Sequence, residues 1–166
     1  MSGRSSKEFE VVFVARGVAS GKMRTDVELE WLQPGGKSEV YHLATDEGPL
    51  LGGENTAPPA LAHFATALVG CLVTHIRAFS STMRIPIRDV SVHSTFRWRG
   101  RRIGDAPYEA GLDAISIDID VDSDAAEGDL LRLIAAAKQG CFIEQSLAQG
   151  ITVAHRLKRE GGWTSL

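Results

Sequence analysis

The sequence has few of the features that would place it in a membrane or an oxidising compartment. It has only two cysteines, Cys71 and Cys141, and no Cys-x-x-Cys pair. No apolar stretch approaches the roughly 18 residues that span a bilayer, and the apolar run near the N-terminus is too short for a signal peptide. We therefore expect a soluble, cytoplasmic protein with reduced thiols and no membrane partner. Two such cysteines are either buried and inert or reactive and transiently bridged.

The sequence also lacks a strong excess of charge of either sign. Its formal net charge of −3 provides no general attraction to nucleic acid or anionic lipid. A basic run at residues 97–102 departs from this average, but no known binding module surrounds it. We interpret it as a solvated hairpin tip and expect no nucleic-acid partner. Residues 36–38 resemble the end of a phosphate-binding loop, but Trp31 occupies the position of the loop's first glycine, so we do not interpret the segment as such a loop.

The rest of the composition is that of an ordinary globular protein. Hydrophobic residues make up 43% of the chain and charged residues 23%, and the length suits a single domain, residues 1–166. Alternating apolar and polar residues predict strands, whereas longer apolar runs bounded by Pro or Gly predict helices. The predicted strands are residues 8–18, 23–32, 39–44, 89–98, 112–121 and 151–158. The predicted helices are residues 60–83, 125–139 and 141–149, which gives an α+β fold.

The longest predicted helix, residues 60–83, is apolar on most of its sides. Asn55 or Thr56 can cap its start, and Pro86 limits its far end. A helix with so wide an apolar surface is normally buried. A domain of this size could hardly enclose the helix alone, so we infer a partner subunit.

The two cysteines differ in their predicted surroundings. Cys71 lies in the middle of the long helix, and His75 follows one turn later on the same face. Cys141 opens a short helix, where unpaired N–H groups and the helix dipole favour a thiolate. Three interpretations remain open. Each cysteine can be a small core residue, the pair can be reactive, or the two cysteines can bind zinc together with His63 and His75.

Three segments around these cysteines are similar to the signature of the OsmC/Ohr family, the osmotically inducible and organic hydroperoxide resistance proteins. The first is residues 52–59 (GGENTAPP), followed by 65–72 (ATALVGCL) in the long helix. The second is residues 85–90 (IPIRDV), which leads into a long strand. The third is residues 138–147 (KQGCFIEQSL), followed by a final strand. The resemblance covers about residues 20–158.

The resemblance implies an intertwined α+β homodimer, in which antiparallel sheets wrap around long central helices and the active sites lie at the subunit interface. It also implies a peroxidase in which Cys71 attacks the peroxide bond and becomes a sulfenic acid. Cys141 then condenses with the sulfenic acid to form a disulfide, which an external dithiol reduces. The implied partners are therefore a second copy of the chain, a hydroperoxide and a dithiol reductant, without a metal or another cofactor.

The sequence departs from the family pattern in the residues that activate the cysteine. Peroxidase members carry a glutamate just inside the cysteine helix, whereas residues 59–62 read PALA here. Glu54 lies further upstream and would need a different loop path. The family's activating arginine comes from the N-terminal half, where Arg16 and Arg24 are the candidates. His75 could replace that charge. The alternative hypothesis is a non-catalytic family member that binds a small apolar ligand at the dimer interface.

Overall fold

The computed structural model describes residues 8–166 and forms two compact units, one that ends at Phe64 and one that begins at Ala65. The first unit is built on a three-stranded antiparallel sheet. Its strands are β1 (Val12–Ala19), β2 (Thr25–Leu32) and β3 (Ser38–Thr45), in the order β1-β2-β3. The three predicted strands are confirmed, although β1 begins four residues later than expected.

Many apolar side chains of this sheet are exposed. Phe13 and Val14 of β1 are each 52% exposed, and Leu43 of β3 is 45% exposed. A sheet normally buries one apolar face against another element. The first unit therefore carries apolar surface that its own residues do not cover.

The long helix α1 (Ala60–Met83) has the bounds that the sequence predicts. It ends where Arg84 adopts a left-handed backbone with φ of 56°. The amide of Ile85 there donates to the Ser80 carbonyl at 2.9 Å, an arrangement typical of a helix C-terminus. Pro86 then prevents the helix from continuing.

Only one stripe of α1 is buried within the chain. Leu68 and Leu72 are each 1% exposed and Ile76 is 0% exposed, whereas Leu61 is 51% exposed. By length and composition alone α1 could also cross a membrane, since it contains an 18-residue window that is apolar enough. Ser, Thr and His residues interrupt the apolar residues of α1, so the helix contains no long unbroken apolar run. The core helix of a soluble protein also meets this criterion, so the finding is weak evidence for a membrane span.

The second unit pairs a long hairpin with two helices. Strands β4 (Asp89–Arg101) and β5 (Glu109–Asp122) are antiparallel, with an irregularity between Arg97 and Trp98. The predicted alternation is confirmed, since the apolar side chains of both strands pack on one face. Helices α2 (Glu127–Gly140) and α3 (Phe142–Gln149) follow. The buried core of this unit consists of Leu68, Leu72, Ile76, Ile85, Leu133, Ala137 and Cys141.

The predicted last strand is wrong over residues 151–155. Only β6 (Arg156–Arg159) forms there, and it pairs with β7 (Gly162–Ser165), a strand that the sequence patterns did not predict. Residues 151–158 alternate in polarity, but this alternation does not reflect a buried face. The side chains of this segment and of both strands are exposed.

Candidate functional site

Cys71 and His75 form the first part of the candidate site. Both lie on α1 and both are half-buried. His75 Nδ1 lies 3.6 Å from Cys71 Sγ and 2.8 Å from the Cys71 carbonyl oxygen. This pairing follows from helical geometry, which places residues four apart on the same face. The imidazole is therefore held directly beside the thiol.

Aromatic side chains and a glycine surround the His75 ring. Phe79 meets it edge-on with ring centroids 5.4 Å apart, and Phe142 does so at 6.1 Å. A Cβ atom on Gly140 would lie 2.6 Å from Phe79 Cε2 and 3.0 Å from His75 Cδ2. The missing side chain of Gly140 thus provides the space that both rings occupy.

Cys141 is the single residue between α2 and α3. Its amide donates to the Ala137 carbonyl at 2.9 Å and closes α2, while its Sγ accepts the Glu144 amide at 3.5 Å and caps α3. The expected helix start at Cys141 is confirmed. Gly140 was expected to stop α2 but is its last helical residue, because the chain leaves the helix through the extended backbone of Cys141.

The two thiols are neighbours. Both are free cysteines, and the side chain of Cys71 lies close enough to that of Cys141 to affect its pKa. Burial is the main cause that raises the pKa of Cys141 to about 11, and the nearby Cys71 side chain adds to it. The hydrogen bond from the Glu144 amide acts in the opposite direction. Cys141 is 0% exposed. At neutral pH it is therefore a buried, protonated thiol beside a more accessible one.

Glu144 carries a buried oxygen atom that lacks a partner. Among the described residues, its Oε2 makes no hydrogen bond. The residue lines a cavity of about 400 Å³ together with Lys138 and an apolar wall. That wall consists of Leu72, Ile115, Ile117, Ile119 and Ile134. The cavity combines apolar surface with one carboxylate and one ammonium group.

Arg24, one of the predicted activating arginines, is held by residues of the first unit. Its Nε and Nη2 donate to Asp26 Oδ1 at 3.0 and 2.8 Å. Its Nη1 donates to the Thr56 hydroxyl at 3.0 Å and to the Thr56 carbonyl at 3.3 Å. The guanidinium thus joins the start of β2 to the loop that precedes α1.

Asp46 organises that loop and was missed by the sequence analysis. It is 2% exposed and accepts hydrogen bonds from the amides of Glu47, Glu54 and Thr56 and from the Thr56 hydroxyl. These bonds, those to Thr56 first, lower the pKa of Asp46. Its position directly after β3 and before a Gly-rich loop was the signal that could have identified it, because such loops need acceptors for their amides.

Arg16 and Glu54, the other predicted site residues, also belong to the first unit. Arg16 lies on β1 in register with Glu28 and, with Arg24 and His42, lines an open cavity of about 650 Å³. The carboxylate of exposed Glu54 pairs with Lys22 at 3.3 Å. Of the predicted site residues, the second unit brings together Cys71, His75 and Cys141, whereas Arg16, Arg24 and Glu54 lie in the first.

The zinc interpretation has no support in the described part of the chain. No group of three or more His, Cys, Asp or Glu side chains within residues 8–166 could hold a metal ion. His63, one of the four proposed ligands, donates its Nε2 proton to the Ala44 carbonyl at 3.0 Å. A pair of thiols beside an imidazole can instead support nucleophilic or redox chemistry.

Comparison with known proteins identifies a family for the chain. The model of the OsmC-like protein family matches residues 53–156, a segment that includes Cys71, His75 and Cys141. The chain is similar to the crystal structure of an OsmC-like hydroperoxide resistance protein from Jannaschia sp., with 38% identity and a TM-score of 0.64. That similarity covers 94% of this chain and 98% of the other. No curated protein matches the chain.

Two more distant structures share the fold. An organic hydroperoxide resistance protein from Legionella pneumophila is 18% identical, with a TM-score of 0.55 over 86% of this chain and 91% of that chain. An organic hydroperoxide resistance protein from Elizabethkingia anophelis is 14% identical, with the same TM-score and the same shares covered. These similarities support the same α+β fold over 86% of the chain.

Proposed function

Because the chain belongs to the OsmC-like protein family, we propose that it is a thiol peroxidase that reduces organic hydroperoxides. The observation that carries this proposal is the contact between the Cys71 and Cys141 thiols within the segment that matches the family model. The name of the 38% identical relative, a hydroperoxide resistance protein, supports the same class of substrate.

Cys71 is the nucleophile in this proposal, because it is the more accessible of the two thiols. Its thiolate attacks the distal oxygen of the hydroperoxide, the O–O bond breaks, and the alkoxide leaves. The alkoxide takes a proton from water and departs as the alcohol. The sulfur is oxidised to a sulfenic acid while the peroxide is reduced.

Cys141 then acts as the resolving thiol. Its sulfur attacks the Cys71 sulfenic acid, a sulfur–sulfur bond forms, and the sulfenic hydroxyl takes the Cys141 proton and leaves as water. The raised pKa of Cys141, about 11, keeps this thiol protonated while the peroxide reacts at Cys71. An external dithiol then exchanges with the disulfide and restores both thiols.

The charge that assists Cys71 remains part of the proposal. Arg16 and Arg24 are the candidate arginines, and both line the open cavity of the first unit. The guanidinium of Arg24 donates hydrogen bonds to Asp26 and Thr56, which hold it in place. We also propose an intertwined homodimer, a single-domain organisation and a cytoplasmic location.

Hydroperoxide consumption by the reduced protein tests this function. We expect cumene hydroperoxide to be consumed well above the rate of free cysteine, and Cys71→Ser to abolish consumption. Cys141→Ser should still give a single turnover, because the sulfenic acid forms but is not resolved. A wild-type protein that consumes neither organic hydroperoxide nor hydrogen peroxide faster than free cysteine would contradict the proposal.

A second candidate function is binding of a small apolar ligand without catalysis. It is favoured by the first turn of α1, which contains no acidic residue, and by the cavity of about 400 Å³ in the second unit. We expect such a protein to bind an apolar fluorescent probe with equal affinity in its wild-type and Cys71→Ser forms. Saturable probe binding without peroxide consumption would favour this candidate.

A further inference from the structure

The hydrogen bond between His75 and the main chain fixes the position of one proton on the imidazole. His75 Nδ1 lies 2.8 Å from the Cys71 carbonyl oxygen. A carbonyl oxygen can only accept, so Nδ1 must carry the proton and donate it. The same nitrogen lies 3.6 Å from Cys71 Sγ, within hydrogen-bonding range for sulfur. One N–H group is thus directed at the backbone and the thiol of Cys71.

The ring has little freedom to leave this position. Phe79 of α1 and Phe142 of α3 contact it edge-on, and Gly140 of α2 lies against its Cδ2 edge. Each of these neighbours is uncharged, and the Cys71 thiol lies beside Nδ1. Three helices therefore hold the imidazole in one orientation.

We propose that His75 is a positioning residue that stabilises the Cys71 thiolate through its Nδ1–H group. This inference rests on the proposed function and specifies how its nucleophile is prepared. Because Nδ1 already carries a proton, it cannot take the proton of the Cys71 thiol, which passes to water instead. His75 acts as a hydrogen-bond donor to the thiolate, and this type of hydrogen bond is stronger than one between neutral groups.

Two substitutions separate the donor from the bulk of the ring. His75→Phe keeps an aromatic ring between Phe79 and Phe142 but removes the N–H group. His75→Asn loses the ring but places an amide N–H near the position of Nδ1. A role confined to packing predicts that Phe is the better replacement, whereas the proposed donor predicts that Asn is.

The measurement is the rate constant for alkylation of Cys71 by iodoacetamide as a function of pH, with the Cys71 peptide followed by mass spectrometry. We expect His75→Phe to slow alkylation about tenfold at pH 7 and to move the profile to higher pH by about one unit, since one pKa unit is a tenfold change in thiolate. We expect His75→Asn to stay within about threefold of wild type. Coincident profiles for wild type and His75→Phe would overturn the proposal. So would an Asn variant as impaired as the Phe variant.

A measurement on the unmodified protein covers the case in which His75→Phe does not fold. Nitrogen-15 NMR of the reduced wild-type protein reports which imidazole nitrogen carries the proton. We expect the Nδ1–H form of neutral His75, and the Nε2–H form would overturn the proposal.

The outcomes also distinguish this inference from the proposed function. Alkylation requires no peroxide, so separated profiles in a protein without peroxidase activity would refute the function and leave the role of His75 intact. Peroxide consumption with coincident profiles would refute only the role of His75.

Discussion

At the scale of single residues, Cys71 and Cys141 are chemically the same group in different surroundings. Cys71 is half-buried beside an imidazole, whereas Cys141 is fully buried and has a pKa of about 11. Burial disfavours the charged form of a thiol. The two side chains are chemically identical, so the difference in burial alone makes one sulfur accessible and the other protected.

We predict that this difference is visible in competitive alkylation at pH 8 with the reduced wild-type protein. A thiol of pKa about 11 is ionised to roughly 0.1% at that pH, and burial blocks access as well. Cys71 should therefore be labelled at least about tenfold faster than Cys141. Unfolding in guanidinium serves as the control, since both cysteines should then react at similar rates. Faster labelling of Cys141 in the folded protein would show that the assigned roles are reversed.

At the scale of secondary-structure elements, the junction of α2 and α3 depends on two residues in sequence. Gly140 leaves room for the rings of Phe79 and His75, and Cys141 then ends one helix and caps the next. Because both residues contact the surroundings of Cys71, the position of this junction and the geometry of the candidate site are linked.

We predict that two glycines of α2 respond oppositely to alanine. In Gly140→Ala, the new Cβ would meet Phe79 Cε2 at 2.6 Å, so we expect a loss of about 1–3 kcal/mol of unfolding free energy from overpacking. Gly128→Ala is the matched control, because a Cβ there meets nothing within 4 Å. It should be neutral or stabilising by up to about 1 kcal/mol, owing to the better helix propensity of alanine. Urea unfolding measures both, and equal stabilities for the two variants would contradict the clash.

The sequence predicts helices and strands well where prolines mark their ends or where apolar and polar residues alternate clearly. Pro59 and Pro86 bracket α1, whose bounds agree with the sequence pattern, and the alternation in β4 and β5 is found in the hairpin. The environment of His75 was not predictable in the same way. Its neighbours Phe142 and Gly140 lie on other helices, and no local pattern reveals a contact over more than 60 residues of sequence. The position of Asp46 before a Gly-rich loop indicated that it could accept hydrogen bonds, but its donors lie up to ten residues away, and the sequence does not determine the path of that loop.

At the scale of the whole molecule, much apolar surface lies outside the single chain's core. The β1–β3 sheet exposes Phe13, Val14 and Leu43, and Leu61 of α1 is half exposed. Soluble monomers rarely leave large contiguous apolar patches in contact with water. The proposed homodimer would remove such surface from solvent, and it would also cover the parts of α1 that the chain leaves accessible.

We predict that the protein sediments as a dimer at micromolar concentration, with twice the chain mass of 17.9 kDa. Val14→Asp should weaken the dimer, because it adds a charge to a side chain that is 52% exposed in the single chain and that a partner would bury at high cost. Asp120→Asn on β5 is the control, since Asp120 is exposed. A wild-type protein that remains monomeric at these concentrations, with unchanged mass in both variants, would rule out the dimer.

The hydrogen bond from the Glu144 amide to Cys141 Sγ has a consequence for how oxidation is sensed by the fold. A sulfur that joins a disulfide is displaced toward its partner and loses electron density that it offered to the amide. The first turn of α3 is then held less firmly than in the reduced protein. The Glu144 amide hydrogen should therefore exchange with solvent faster after oxidation. Its exchange rate would then report whether the two thiols are reduced or oxidised.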